Sequence, residues 1–102
     1  EPGEDPPATA RRELAEETGI ARARFVPGFT EEMRYCYRRG GQRVLKTVTY
    51  FLAETEESQV TLSQEHSGYA WLPAPQALER LTFRTARELL ARADRFLAGQ
   101  PA

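Results

Sequence analysis

Residues 12–20 read R-E-L-A-E-E-T-G-I, and this run constrains the fold more than any other part of the chain. At about 100° per residue, Glu13, Glu16 and Glu17 share one face of a helix. Like charges three and four positions apart oppose the helix unless a cation lies among them. Carboxylate oxygens are the ligands that Mg²⁺ takes beside substrate phosphates. The run therefore indicates a helical metal site, with a solvated helix face as the alternative.

The same helix has recognisable ends in the sequence. Prolines at positions 6 and 7 suit a first turn, and Asp5 before them is a candidate N-cap. Gly19 supplies the left-handed residue that commonly ends a helix. These signals predict a helix over residues 7–18, with Arg12 one turn before Glu16, where an ion pair can form.

Glu4, seven residues, and then the run 12–20 is similar to the Nudix box, G-x5-E-x7-R-E-U-x-E-E-x-G-U, in which U is an aliphatic residue. The leading glycine of the box would precede Glu1, so we expect the chain to start inside the motif. The resemblance implies an α+β fold, a Nudix-like α/β/α sandwich with a mixed sheet. We therefore read residues 1–102 as a single, partial, N-terminally truncated Nudix hydrolase domain.

The resemblance also assigns roles to the residues of the box. Members of the family hydrolyse nucleoside diphosphates linked to another moiety. By this resemblance, Glu13, Glu16 and Glu17 would bind Mg²⁺ or Mn²⁺ and carry the catalysis. Glu4, Arg12 and Gly19 would have structural roles, with Glu4 and Arg12 pairing to position the helix. An ordinary surface ion pair is the alternative for Arg12.

Beyond the box, alternating side chains predict a β-hairpin. Residues 29–37 and 44–53 read as its strands, joined by the turn Arg38-Arg39-Gly40-Gly41. Pro27-Gly28 is expected to end a short strand that begins near Phe25. The remaining predicted elements are short strands at 60–62 and 69–72, a short helix at 76–81, and a helix at 84–97 with Leu89, Leu90, Ala93, Phe96 and Leu97 inward. The two outer helices are expected to cover opposite faces of the sheet.

Segments 46–53 (K-T-V-T-Y-F-L-A) and 63–72 (S-Q-E-H-S-G-Y-A-W-L) resemble the asymmetrical diadenosine tetraphosphate hydrolase branch of the family. The resemblance implies that Glu65 adds a fourth carboxylate, as metal ligand or general base. It implies that Lys46 contacts phosphate, that His66 bonds or protonates phosphate, and that Tyr50 and Phe83 stack on adenine. In the alternative interpretation, Glu65 is a solvated loop acid, Lys46 a surface lysine and His66 a structural loop residue. Tyr50 and Phe83 are then core aromatic residues.

These assignments predict attack of water on a dinucleoside polyphosphate, releasing ATP and AMP from the tetraphosphate. One rival is a Nudix pyrophosphohydrolase acting on RNA 5′ ends or on another nucleoside diphosphate derivative. The other rival is an inactive fragment that serves as a binding module through an open sheet edge.

The composition limits the kinds of partner that the chain is expected to bind. Fourteen Lys and Arg against fifteen Asp and Glu leave a formal charge of −1, which gives no global attraction to DNA or to an anionic membrane. Cys36 is the single cysteine and is interpreted as a strand filler. We expect a cytoplasmic enzyme whose partner is a small nucleotide, with RNA ends a partner only under the rival function. The sequence leaves the oligomeric state open.

Overall fold

The computed structural model describes residues 5–100. Its elements, in chain order, are α1 (Pro6–Thr18), β1 (Ala23–Arg39), β2 (Gln42–Thr55), α2 (Ala74–Arg80) and α3 (Arg84–Ala98). The predicted α+β class, the three helices and the hairpin are confirmed. None of the helices in this part of the chain is both long and apolar enough to cross a membrane.

The ends of α1 follow from local chemistry. The Asp5 carboxylate accepts a hydrogen bond from the backbone N–H of Ala8 at 2.9 Å, so it satisfies one of the unpaired donors of the first turn. At the other end, Gly19 has φ = 75°, and its N–H donates to the carbonyl of Ala15 at 2.9 Å. Both capping predictions are confirmed.

The hairpin closes with a two-residue turn. Arg39 pairs with Gln42, and Gly40 and Gly41 between them have φ of 59° and 82°. Two consecutive positive φ angles are typical of the type I′ turn, whose twist matches that of the flanking strands. The glycines therefore set the register of both strands.

The expected break at Pro27-Gly28 is wrong, because β1 continues through these residues. Phe25 pairs with Ala53 and Thr30 pairs with Phe51, so four residues of β1 lie opposite a single residue of β2. Such a bulge bends one strand and allows the ladder to resume beyond it. Proline is tolerated there because its missing N–H falls outside the regular ladder.

Helix α1 lies on one face of the hairpin. The rings of Phe25 and Phe51 stack with their centroids 5.4 Å apart and 10° between their planes. The Arg11 guanidinium of α1 lies 4.5 Å from the centre of the Phe25 ring, and its Nη1 donates to the carbonyl of Ala23 at 2.6 Å. A cation over an aromatic face is attractive, so α1 is fixed over the face that carries Phe51.

Helix α3 lies on the opposite face. Glu31 comes directly after Thr30, the partner of Phe51, so its side chain points away from α1. Arg92 of α3 donates to its carboxylate at 2.7 Å, and Phe96 meets Phe29 edge to face at 5.4 Å. The predicted placement of two helices on opposite faces of the sheet agrees with these contacts.

Two predicted strands are not formed. Residues 60–62 and 69–72 are irregular, and the sheet of the described residues has two antiparallel strands rather than the mixed pairing expected. The physical reason is that Thr61 and Ser63 donate their backbone N–H groups to carbonyls at the end of α1 instead of to a sheet edge.

The core of the described residues is small, and Ile20, Phe29 and Ala93 are its buried apolar members. The inward placement predicted for Leu97 is wrong, because 49% of this residue is exposed. Leu97 and Trp71 line an open apolar hollow of about 590 Å³. No element of the described chain fills this hollow, so their side chains stay accessible.

Candidate active site

The carboxylates of α1 have different surroundings. Nη1 of Arg12 donates to both oxygens of Glu16, at 3.0 and 3.1 Å, which confirms the predicted pair one turn apart. Glu13 is exposed, whereas the Glu17 side chain is 44% exposed and lies nearer the loop that follows β2. Glu4, the other predicted partner of Arg12, lies outside the described residues.

The loop after β2 is fixed to the C-terminal end of α1. The N–H of Thr61 donates to the carbonyl of Thr18 at 2.9 Å, and that of Ser63 donates to the carbonyl of Glu17 at 3.1 Å. The last carbonyls of a helix have no partner within the helix, so the loop supplies the missing donors. A Cβ added to Gly19 would lie 3.4 Å from Cβ of Thr61. Gly19 thus both ends the helix and leaves space for the loop to pack against the helix end.

This docking brings His66 to Glu17. Nε2 of His66 lies 3.8 Å from Oε1 of Glu17, and Nδ1 lies 3.3 Å from the hydroxyl oxygen of Ser63. The N–H of His66 also donates to the carbonyl of Ser63 at 3.2 Å. Glu65 is the preceding residue and is exposed. Of the two loop residues expected in the site, His66 is therefore held beside the carboxylate helix, and Glu65 precedes it in the same loop.

Ser63 is a further residue of the candidate site, and the sequence did not single it out. The spacing of a hydroxyl three residues before a histidine in a polar loop was the available signal, because such side chains bond locally in turns. That signal is common, and the contact with α1 is what distinguishes this serine.

A groove lies between α1 and β2, beside the carboxylates of the helix. One part of it, about 410 Å³, is lined by Glu13 of α1 and by Lys46, Thr47 and Thr49 of β2. An adjoining part of about 320 Å³ has Glu13, Glu17 and Tyr50 in its lining. The register places Thr47, Thr49 and Phe51 on the α1 face, whereas Lys46 and Tyr50 alternate to the face of Glu31 and α3. The two glutamates thus share the groove, and the side chains of Lys46 and Tyr50 lie on the other side of the strand.

Tyr50 has a partner that the sequence did not indicate. Its hydroxyl lies 3.0 Å from that of Tyr35 on the neighbouring strand. This hydrogen bond, followed by burial and by the charge of an ionised Tyr35, raises the pKa of Tyr50 above 10.0. The neutral phenol is thereby favoured, and its ring position is fixed across the hairpin.

The proposed aromatic pair is not assembled. Phe83 is the N-cap residue of α3, and 76% of it is exposed. The ring contacts within residues 5–100 are Phe25 with Phe51 and Phe29 with Phe96. Phe83 and Tyr50 therefore lie apart, and stacking of both on one adenine requires movement.

The donor set fits a hard divalent cation in its chemistry. Glu13, Glu16, Glu17 and Glu65 offer oxygen ligands, and such cations take oxygen from carboxylates, water and phosphate. Among residues 5–100, however, no three acidic, histidine or cysteine side chains already converge on a common point. Because these glutamate side chains are wholly or partly exposed, rotation about their χ angles is open to them.

Comparison with known proteins defines the class. The NUDIX domain family model matches residues 1–93. The chain belongs to the Nudix family, and the predicted enzyme class, a Nudix-type pyrophosphohydrolase, is confirmed.

The relatives agree with the predicted branch. The chain is 37% identical over 106 aligned positions to the asymmetrical bis(5′-nucleosyl)-tetraphosphatase of Mus musculus, covering 100% of this chain and 69% of that protein. The corresponding protein of Sus scrofa is 35% identical over the same coverage. A crystal structure of a C. elegans Ap4A hydrolase binary complex matches with a TM-score of 0.79 and 30% identity, covering 98% of this chain and 72% of that one.

Proposed function

We propose that this chain hydrolyses a phosphoanhydride bond of a dinucleoside polyphosphate, converting diadenosine tetraphosphate to ATP and AMP with Mg²⁺ or Mn²⁺. The carboxylate helix and the loop docked on its end carry the proposal, because Glu13 and Glu17 line one groove and His66 lies 3.8 Å from Glu17. The similarity to asymmetrical tetraphosphatases supports the choice of substrate.

In the proposed reaction, water attacks a phosphorus atom of the chain and the bond from that phosphorus to the bridging oxygen breaks. Glu65 accepts a proton from the water, since an exposed loop carboxylate has the mobility to reach it. Glu13, Glu16 and Glu17 would hold the cation, and Glu65 would be a further ligand where it does not act as the base. A divalent cation bound there neutralises charge on the phosphoryl oxygens and lowers the pKa of water.

The other residues bind and orient the substrate. Lys46 offers its ammonium group to phosphate as a point charge. The Tyr50 ring, fixed by Tyr35, offers a stacking surface for adenine, and the exposed Phe83 closes on the second face. His66 bonds a phosphate oxygen from the loop that Ser63 holds against α1.

The test replaces Glu17 by glutamine, which keeps the size of the side chain and removes its charge. We expect turnover of diadenosine tetraphosphate at saturating Mg²⁺ to fall by about 10²-fold or more, as for other losses of electrostatic stabilisation at a reacting centre. The same replacement at Glu79, an exposed residue of α2, is the matched control and should leave turnover unchanged. Chelation of the metal should abolish activity in both proteins.

Product analysis separates the rivals. Release of ATP and AMP supports the proposal, whereas two molecules of ADP or a preference for triphosphorylated RNA would contradict it. Near-normal turnover of Glu17→Gln would refute the assignment of the metal site. A folded protein without hydrolase activity in the presence of metal would support the binding-module alternative instead.

A further inference from the structure

The outer half of the hairpin is strongly positive. Residues 33–49 contain Arg34, Arg38, Arg39, Arg43 and Lys46 and no acidic residue. The other nine Lys and Arg and all fifteen Asp and Glu lie elsewhere in the chain. The formal charge of −1 therefore conceals a segregation of charge, with a basic hairpin end on an otherwise acidic protein.

The register sorts these residues onto two faces. Arg38 lies directly opposite Arg43, so both side chains leave the same face of the hairpin. Arg34 is four residues from Arg38 on the same strand and shares that face, because side chains alternate along a strand. Arg39 pairs with Gln42 and points to the opposite face. We refer to Arg34, Arg38 and Arg43 as the arginine face.

The arginine face is unfavourable for the hairpin as it stands. Like charges directly opposite each other destabilise an antiparallel pair. Within residues 5–100 none of the three arginines has a carboxylate partner: Arg38 donates to the carbonyl of Gly41 at 3.3 Å, and Arg43 to Sγ of Cys36 at 3.5 Å. A bound anion would remove this repulsion, and guanidinium groups match phosphate oxygens in pairs.

The arginine face continues the wall of the proposed active site. Arg34 pairs with Thr47, a residue of β2 that lines the groove beside Glu13. Arg43 is four residues further along β2, about 13 Å away at 3.3 Å per residue. Arg43 and Phe51 are both odd-numbered positions of β2, so their side chains leave the same face of the hairpin. The arginine face is therefore a continuation of the face that α1 covers near Phe51. A phosphate chain leaving the groove toward the turn would therefore meet these arginines.

We propose that the arginine face binds phosphate groups of the substrate that extend beyond the groove, so that the enzyme favours longer polyphosphate chains. The inference rests on the proposed function. Polyphosphate is favoured over single-stranded RNA as the occupant because Tyr35 and Tyr37 point to the other face, leaving no aromatic ring among the arginines for bases to stack on.

The test compares the double variant Arg38→Gln/Arg43→Gln with Arg39→Gln. The control removes one charge from the same turn on the opposite face. We expect the double variant to raise KM by about tenfold for dinucleoside hexaphosphate and by less for the tetraphosphate, with kcat within about twofold, because charge-assisted bonds form only with the longer chain. Arg39→Gln should leave KM within about twofold for both substrates.

Calorimetric titration with inorganic tripolyphosphate in the absence of metal tests the same surface without turnover. We expect its affinity to fall in the double variant and to hold in the control. Equal losses in both proteins, or no loss in either, would overturn the inference. A larger loss for triphosphorylated RNA than for polyphosphate would overturn the choice of occupant.

This design separates the two proposals. If the wild-type protein hydrolysed no dinucleoside polyphosphate, the proposed function would fail whatever the tripolyphosphate titration gave. If the wild type were active and the double variant kept its KM for every chain length, the arginine face alone would be refuted. The melting temperature of the double variant should equal or exceed that of the wild type, since the change removes a repulsion.

Discussion

Replacement of Gly19 by alanine tests how the Nudix-box helix is joined to the loop that carries Glu65 and His66. Gly19 has φ = 75°, and a Cβ there would lie 3.4 Å from Cβ of Thr61 and 3.6 Å from its backbone N. That backbone N holds the loop to α1 through the carbonyl of Thr18 at 2.9 Å. The substitution therefore combines backbone strain with a new contact on the segment that leads to Glu65.

The magnitude follows from two opposing terms. The left-handed conformation costs an L-residue about 1–2 kcal/mol. Alanine also restricts the unfolded chain, which returns about 0.4–1 kcal/mol. The contacts to Thr61 are at ordinary van der Waals distances, so they add little to the cost. We expect the free energy of unfolding to fall by about 1 kcal/mol.

We expect Gly19→Ala to lower kcat in addition to the free energy of unfolding. Strain at residue 19 displaces the end of α1 to which Thr61 is bonded, which moves Glu65 and His66 relative to Glu17, and small misplacements of reacting groups are costly. We expect kcat to fall by about tenfold with the protein still folded.

Two other glycines provide the controls, with stability measured by urea unfolding and activity by product release. Gly40 has φ = 59° with nothing near its absent Cβ, so Gly40→Ala should lose about as much stability without losing kcat. At Gly68, whose surroundings are open and whose φ is not positive, alanine should change neither quantity. The reasoning is refuted if Gly19→Ala unfolds like the wild type, or if Gly40→Ala loses kcat equally.

Three further predictions concern stability and titration. In urea unfolding, Phe29→Ala should lower the free energy of unfolding by about 3–5 kcal/mol, because Phe29 is only 6% exposed. The control Leu45→Ala, at a residue that is 65% exposed, should change it by less than about 0.5 kcal/mol. Asp5→Ala should cost about 1 kcal/mol through the lost N-cap, and Asp5→Asn should retain most of it; equal losses would contradict the capping role. Tyr35→Phe should lower the pKa of Tyr50 toward 10.0 in an ultraviolet titration. An unchanged titration in Tyr35→Phe would refute the hydrogen bond as the cause. In the wild type, the raised pKa of Tyr50 stabilises the fold below pH 10.0, and this contribution is lost as the pH rises through the folded-state pKa.

Local chemistry made part of the fold predictable. The bounds of α1 follow from Asp5, Pro6 and Gly19, which act within one or two turns of the chain. The hairpin follows from alternation around Gly40-Gly41. The bulge between Phe25 and Thr30 was not predictable, because it depends on how β1 packs against both β2 and α3. The same limit explains the error at Leu97, where helical periodicity identified a face but not the element opposite it.

The candidate site was likewise predictable from the sequence only in part. The spacing of the box placed Glu13, Glu16 and Glu17 on one helix face, and pairing of Arg12 with Glu16 needed no other element. The sequence could not indicate Tyr35 as the partner of Tyr50, since the two are fifteen residues apart and meet only through strand register.

The sequence by itself determined the family, the carboxylate helix with its ends, and the hairpin, because each rests on interactions between residues close in the chain or on a fixed spacing. The tertiary structure decided where these parts meet. Thr61 and Ser63 donate to the unpaired carbonyls of α1, and this brings His66 to Glu17. The register sets Arg38 against Arg43. Contacts of this kind depend on the pairing of distant backbone groups, which a single sequence does not encode locally.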